Sequence, residues 1–272
     1  MSEAHRARAP ALADRETVRQ VGAAVRPLVA VAALLLTSCR APDARPLAAG
    51  AIERAAQWMA GFPQEQLRFD AAVGLAAIRR HRDTPQVREA FDRARVVAER
   101  DADNPMLRAI EPSYRAPPEV TTRRSPPDNV NRPLEEVIHC AQNGLRQQTL
   151  EYITGPMRDR GGYGTTHAVW ALALARDAGC IADFAERVEP LLKELRDAQP
   201  DRPQPNALAV DLFAERVLML AIAGGRVDHW AKPLLEAQNP DGSFGALGTG
   251  EDPYHRYHAT MVAAWALSEW AK

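Results

Sequence analysis

The side chains best suited to moving protons or holding a polar ligand are Asp70, Tyr163, His167, Asp211, Tyr254, His255 and His258. An imidazole beside a phenol and a guanidinium can take a proton and return one. Tyr163, His167, Tyr254, Arg256 and His258 supply those types. The same groups could hold an unreacting ligand by hydrogen bonds, or simply line and cap helices. His255 and His258, three apart behind Asp252, could meet one metal ion on a helix's first turn. The positive end of that helix opposes a bound cation, so no metal set is assigned, and no cofactor is implied.

Four of these residues open Ala-rich helical stretches. They are Phe69-Asp70-Ala71-Ala72-Val73-Gly74-Leu75, Thr166-His167-Ala168-Val169-Trp170-Ala171-Leu172, Val210-Asp211-Leu212-Phe213-Ala214, and a last helix from His258 to Trp270. In the last, His258, Val262, Trp265 and Glu269 fall on one face. His167, Asp211 and His258 follow one another at roughly 45 residues, and Asp70 precedes His167 by about twice that, which suggests a repeat with one unit altered. Two helices per repeat imply stacked helical hairpins.

The turn before the last helix reads Gln238-Asn239-Pro240-Asp241-Gly242-Ser243-Phe244-Gly245, and Gly161-Gly162-Tyr163-Gly164 is a weaker copy. A helix, a Gln-x-x-Asp-Gly-Ser-aromatic-Gly turn and a second helix resemble the repeat of the α/α-toroid proteins: terpenoid cyclases, prenyltransferase β-subunits and complement-like thioester domains. The resemblance spans roughly residues 48–272. It implies an all-α fold, a partial α/α toroid of about four helical hairpins, with inner-helix N-termini around a central cavity. Asp70, His167, Asp211 and His258 would share its mouth with Tyr163, Tyr254, His255 and Tyr257, and helix N-termini there would favour an anionic ligand. The activities of those families do not carry over. The cyclase Asp-x-Asp-Asp box, the prenyltransferase Asp-x-Cys pair with its later His, and the Cys-Gly-Glu-Gln thioester are all absent. Some toroid-shaped polysaccharide lyases use His, Tyr and Arg, which keeps a glycan enzyme open as an alternative.

Apolar spacing predicts helices over 48–60, 66–81, 85–100, 134–153, 166–178, 182–198, 207–223, 227–237 and 258–270. Thr84-Pro85 is an N-cap followed by Pro at the first helical position. Residues 103–133 carry seven prolines, which excludes a long helix. This segment replaces an expected helix, either as a surface loop or as a flap touching a ligand through Tyr114 and Arg115. His81, His139 and His229 are expected on the surface or between helices. Cys140 and Cys180 fall at similar depths in one predicted hairpin, so they are expected to pair, the alternative being two buried free thiols.

The N-terminal 26 residues are polar and Arg-rich, and Pro27 to Leu36 is a short apolar run ending in Thr37-Ser38-Cys39. That order is a secretory signal, residues 1–38. Leu36-Thr37-Ser38-Cys39 resembles a bacterial lipobox, which implies a lipid on Cys39, a tether over 39–47 and attachment to an envelope membrane through the lipid. Arg40, with no Asp after Cys39, points towards the outer membrane. A net charge of −1 supplies no field for nucleic acid. The resulting expectation is an envelope lipoprotein that binds a small-molecule, glycan or protein ligand in its concave face without catalysis. The alternative is an envelope enzyme acting on a glycan or an isoprenoid.

Overall fold

The computed structural model describes residues 44–100, 104–115 and 132–272. The signal, the lipidation site Cys39 and most of the proposed tether lie outside these residues. Helices are α1 (Arg45–Ala60), α2 (Phe69–His81), α3 (Pro85–Ala98), α4 (Leu107–Ile110), α5 (Arg132–Ile138), α6 (Cys140–Asn143), α7 (Gln147–Tyr152), α8 (Tyr163–Asp177), α9 (Phe184–Ala198), α10 (Ala207–Ile222), α11 (Asp228–Glu236) and α12 (Pro253–Trp270). The described residues are all-α, with two isolated bridges, Asn206–Ala246 and Gln238–Phe244. No helix among them is long and apolar enough to cross a membrane.

The apolar stripes read from the sequence are the buried ones. Ile52, Ala55, Ala56 and Met59 face the core from α1, as do Ala71, Gly74, Leu75 and Ile78 from α2 and Val188, Leu191, Leu192 and Leu195 from α9. Helix α12 is buried on nearly every side because it packs against α1, α2, α10 and α11, most extensively against α10. Its small residues Ala259, Ala263, Ala264 and Ala266 allow that approach. Each large side chain buried here stabilises by roughly 1.5–3 kcal/mol.

The turn 238–245 joins the last hairpin to the first helix. Gln238 Nε2 donates to the Ala51 carbonyl at 2.8 Å and to the Gly242 carbonyl at 2.9 Å, and Arg54 donates to Gln238 Oε1. Gly242, at φ +91°, lies so close to α1 that a Cβ would stand 2.5 Å from the Arg54 carbonyl oxygen. Arg256 closes the turn, donating to Asp241, Ser243 and the Gly245 carbonyl and lying over Trp58.

Three elements depart from expectation. The single helix over 134–153 is broken into α5, α6 and α7 and runs on through a wide turn, Ile153–Met157, to Arg160. Gly144 at φ +77° stops α6, and Glu136 clasps the break by accepting from the Arg146 amide, the Arg146 guanidinium and Thr149. Helix α8 starts at Tyr163 rather than Thr166, because Gly162 at φ +44° provides the sharp bend before it. Helix α12 starts at Pro253 rather than His258, because Asp252 caps it by accepting from the Tyr254 amide and Pro253 sits at its first position.

Cys140 and Cys180 form a disulfide with Cα atoms 6.2 Å apart. Cys140 opens short α6 and Cys180 follows the end of α8, so the bond ties the broken region to a continuous helix. The described part of the Pro-rich segment contains the four-residue α4 and the first two residues of α5. His139, buried in the angle between α5 and α6, bonds the Pro105 carbonyl at 2.8 Å.

Candidate functional site

Helices α2, α8, α10 and α12 line one cavity of about 560 Å³, α2 and α8 with their N-terminal halves, α12 with its middle and α10 with Glu215, Leu218 and Met219 from its C-terminal half. One wall is apolar, with Val73, Leu218, Met261 and Val262, and with Trp170 set edge-on to Trp265 at 5.8 Å between ring centres. The other wall is polar and holds Asp70, Tyr163, Thr166, His167, Glu215 and His258. Asn104 and Met106 border the cavity from the segment before α4, and Arg68 stands beside it.

His258 sits at the centre of the polar wall. Its Nδ1 is 2.8 Å from Asp211 Oδ1, and its Nε2 is 3.5 Å from Asp70 Oδ2. Each carboxylate in turn accepts from a phenol: Tyr163 Oη donates to Asp211 Oδ2 at 2.7 Å, and Tyr254 Oη donates to Asp70 Oδ1 at 2.6 Å. The result is a chain of five groups, Tyr163–Asp211–His258–Asp70–Tyr254, contributed by four helices. Stacking of Tyr254 on Tyr257 and the Arg68 guanidinium over the Tyr254 ring fix its outer end.

Glu215 lies one helical turn after Asp211 and on the same face of α10. Asp211 and Glu215 are only 5% and 6% exposed, so water does little to separate their charges. Glu215 Oε2 accepts from Thr166 Oγ1 at 2.5 Å. His167 donates from Nδ1 to the Tyr163 carbonyl at 2.8 Å. That bond fixes the tautomer and leaves Nε2 without a proton, on a ring that borders the cavity.

The environment separates these groups by protonation. Burial pushes His258 down, but the charge and hydrogen bond of Asp211, with the charges of Asp70 and Glu215, outweigh it and raise the imidazole to about 9. Burial lowers His167 to about 4, and the positive His258 adds to the effect. Burial raises Glu215 to about 8, reinforced by the Asp211 charge. The phenols of Tyr163 and Tyr254 are pushed up by burial and by the carboxylates they bond.

Of the candidates named from sequence, Asp70, Tyr163, His167, Asp211, Tyr254 and His258 therefore meet. His255 does not join them, and its Nδ1 is buried without a hydrogen-bond partner among the described residues. A metal shared by His255 and His258 thus has no geometric basis. Arg256 is occupied by the 238–245 turn, so the His–Tyr–Arg set expected for a lyase is not assembled. An anionic ligand, expected at the helix N-termini, would meet the carboxyl groups of Asp70 and Glu215 on the lining. Tyr114 packs edge-on against His139 at 6.3 Å, while Asn104 and Met106 of the same segment reach the cavity. Sequence reasoning missed Glu215 and Thr166. The available signal was the Asp211-x-x-x-Glu215 spacing, an acid repeated at one turn within an otherwise apolar helix.

Comparison of the chain with protein-family models, with curated proteins and with solved structures finds no match in any of the three.

Proposed function

We propose that this chain is an envelope lipoprotein, anchored through Cys39 after removal of residues 1–38, whose helical domain binds an amphiphilic ligand in its cavity. The domain is read as a partial α/α toroid, with α2, α8, α10 and α12 as its inner helices. The convergence of these four helices on one cavity supports that reading. The Arg-rich start, apolar run and Leu36-Thr37-Ser38-Cys39 support the anchor, and Arg40 supports the outer membrane. Nucleic acid is not a partner on this reading, because a net charge of −1 offers nothing to a phosphate backbone.

One observation carries the ligand class: each of the four helices lines the cavity with a polar residue and, three positions on, an apolar one (Asp70 and Val73, His167 and Trp170, Glu215 and Leu218, His258 and Met261), so a polar and an apolar layer share a single 560 Å³ space. An aliphatic body fits between Val73, Leu218, Val262 and the two tryptophans. A head group that donates hydrogen bonds or carries positive charge fits the carboxyl-rich wall. The probes are decylamine, decanol and decyl phosphate below their micelle concentrations. Decylamine should raise Tm by about 5 °C or more at a hundredfold excess over Kd, decanol less, and decyl phosphate least. Val73→Trp, which fills the apolar end, should abolish the response. No shift with any probe, or an unchanged response in Val73→Trp, would refute the reading.

A second reading, an envelope enzyme, draws on the unprotonated Nε2 of His167 at the cavity edge. That nitrogen is placed as a base, and the apolar wall suits an isoprenoid better than a glycan.

A further inference from the structure

The structure assigns a second ligand to the same wall: we propose that Asp211, Glu215 and His258 bind one divalent first-row transition ion, of the zinc or manganese class. One ligating atom from each of the three lies within 4.8 Å of the other two, and no other such group of three occurs among the described residues. Nitrogen and oxygen donors around one tetrahedral zinc stand roughly 3.3–3.6 Å apart, so the set would draw together by about 1 Å to close on an ion.

The surroundings are those a metal site requires. Metal ligands are aimed by partners on their far atoms. Here the far oxygen of Asp211 takes the Tyr163 hydroxyl, His258 Nε2 faces Asp70, and Glu215 Oε2 takes the Thr166 hydroxyl. Tyr254 then holds Asp70. Charge gives an independent reason. Three carboxyl groups surround a single imidazole, and the most deeply placed pair, Asp211 and Glu215, are buried side by side. Among the described residues Glu215 has a hydroxyl but no guanidinium or ammonium within bonding distance. A dication between them would take the place of the protons that Glu215 and His258 otherwise hold, where water cannot reach the pair. Two carboxylates and one imidazole suit manganese, iron or zinc better than the all-oxygen sites of calcium and magnesium. Three protein ligands also leave a coordination position open towards the cavity.

This site stands whether or not an amphiphile binds. The test is titration of the chelator-treated full chain with ZnCl₂ and MnCl₂, in competition with a chromophoric chelator, alongside MgCl₂. The expected result is one equivalent of Zn²⁺ or Mn²⁺ bound, with weak Mg²⁺. Tyr163→Phe, which removes one oxygen, should weaken binding about 10–100-fold. The isosteric Glu215→Gln and His258→Ala should weaken it by more, and His255→Ala should leave it unchanged. Circular dichroism verifies that each variant is folded. Ion binding retained in Val73→Trp supports the site even if the decylamine response never appears. Absence of a stoichiometric ion, or equal affinity in Tyr163→Phe, Glu215→Gln and the parent chain, would overturn the proposal.

Discussion

His258 Nδ1 lies 2.8 Å from Asp211 Oδ1 across 47 residues of sequence, and this contact brings the last helix and α10 together on the polar wall. Each residue sits in the N-terminal half of its helix, one turn or so from the start. Helix α12 packs more extensively against α10 than against any other helix, so the polar contact forms where two closely packed helices meet.

Gly242 is expected to be the most sensitive position of the 238–245 turn. Its φ of +91° strains any other residue, and an added Cβ would strike the Arg54 carbonyl at 2.5 Å. Gly242→Ala should cost about 2–3 kcal/mol, read as a lower urea midpoint. A loss below 0.5 kcal/mol would show that the turn can move away from α1.

Gln238→Ala removes the side chain that spans to Ala51 and Arg54. The expected loss is about 1–3 kcal/mol, since the Ala51 and Gly242 carbonyls lose their donor. Chemical denaturation of the two proteins measures it.

The Cys140–Cys180 bond closes a segment with a sequence separation of 40. Reduction should lower unfolding free energy by about 4 kcal/mol on the loop-entropy account. Urea curves with and without reductant give the difference.

Glu136 gives the protein a specific acid sensitivity. Burial raises its carboxyl, but hydrogen bonds from the Arg146 side chain, Thr149 and the Arg146 amide, with the Arg146 charge, prevail and hold it below the ordinary 4.5. A carboxylate depressed by folding contributes stability above its unfolded value and loses it as pH falls through the folded value. Glu136→Gln should therefore cost about 1–2 kcal/mol at pH 7, with the gap to the parent protein narrowing as pH falls below the ordinary carboxylate range. A gap that stays constant with pH would assign the effect to packing.

The helices were legible because apolar periodicity, the Thr84-Pro85 cap and the prolines of residues 103–133 act locally. The break at Gly144 was not, because Leu134, Val137, Ile138, Ala141 and Leu145 continue a helical pattern across it, while the Glu136–Arg146 clasp depends on tertiary placement. Asp70, His167, Asp211 and His258 were recognisable as a set from their matching positions at helix starts. Glu215 was hidden inside a helix that reads as apolar. His255 and Arg256 were grouped with the site by proximity in sequence, yet Arg256 is held by the 238–245 turn and His255, although only three residues before His258, makes no hydrogen bond to the network among the described residues.

The central claim is that the polar wall exists for what enters the cavity and not for the fold. Urea unfolding of Glu215→Leu in the presence of chelator tests it most directly. Thr166 keeps the Tyr163 carbonyl as an acceptor, and a buried carboxyl beside Asp211 is lost, so the account predicts a midpoint equal to or above that of the parent protein. A loss of about 2 kcal/mol or more would mean that Glu215 and its neighbours hold the helices together, and would contradict the account.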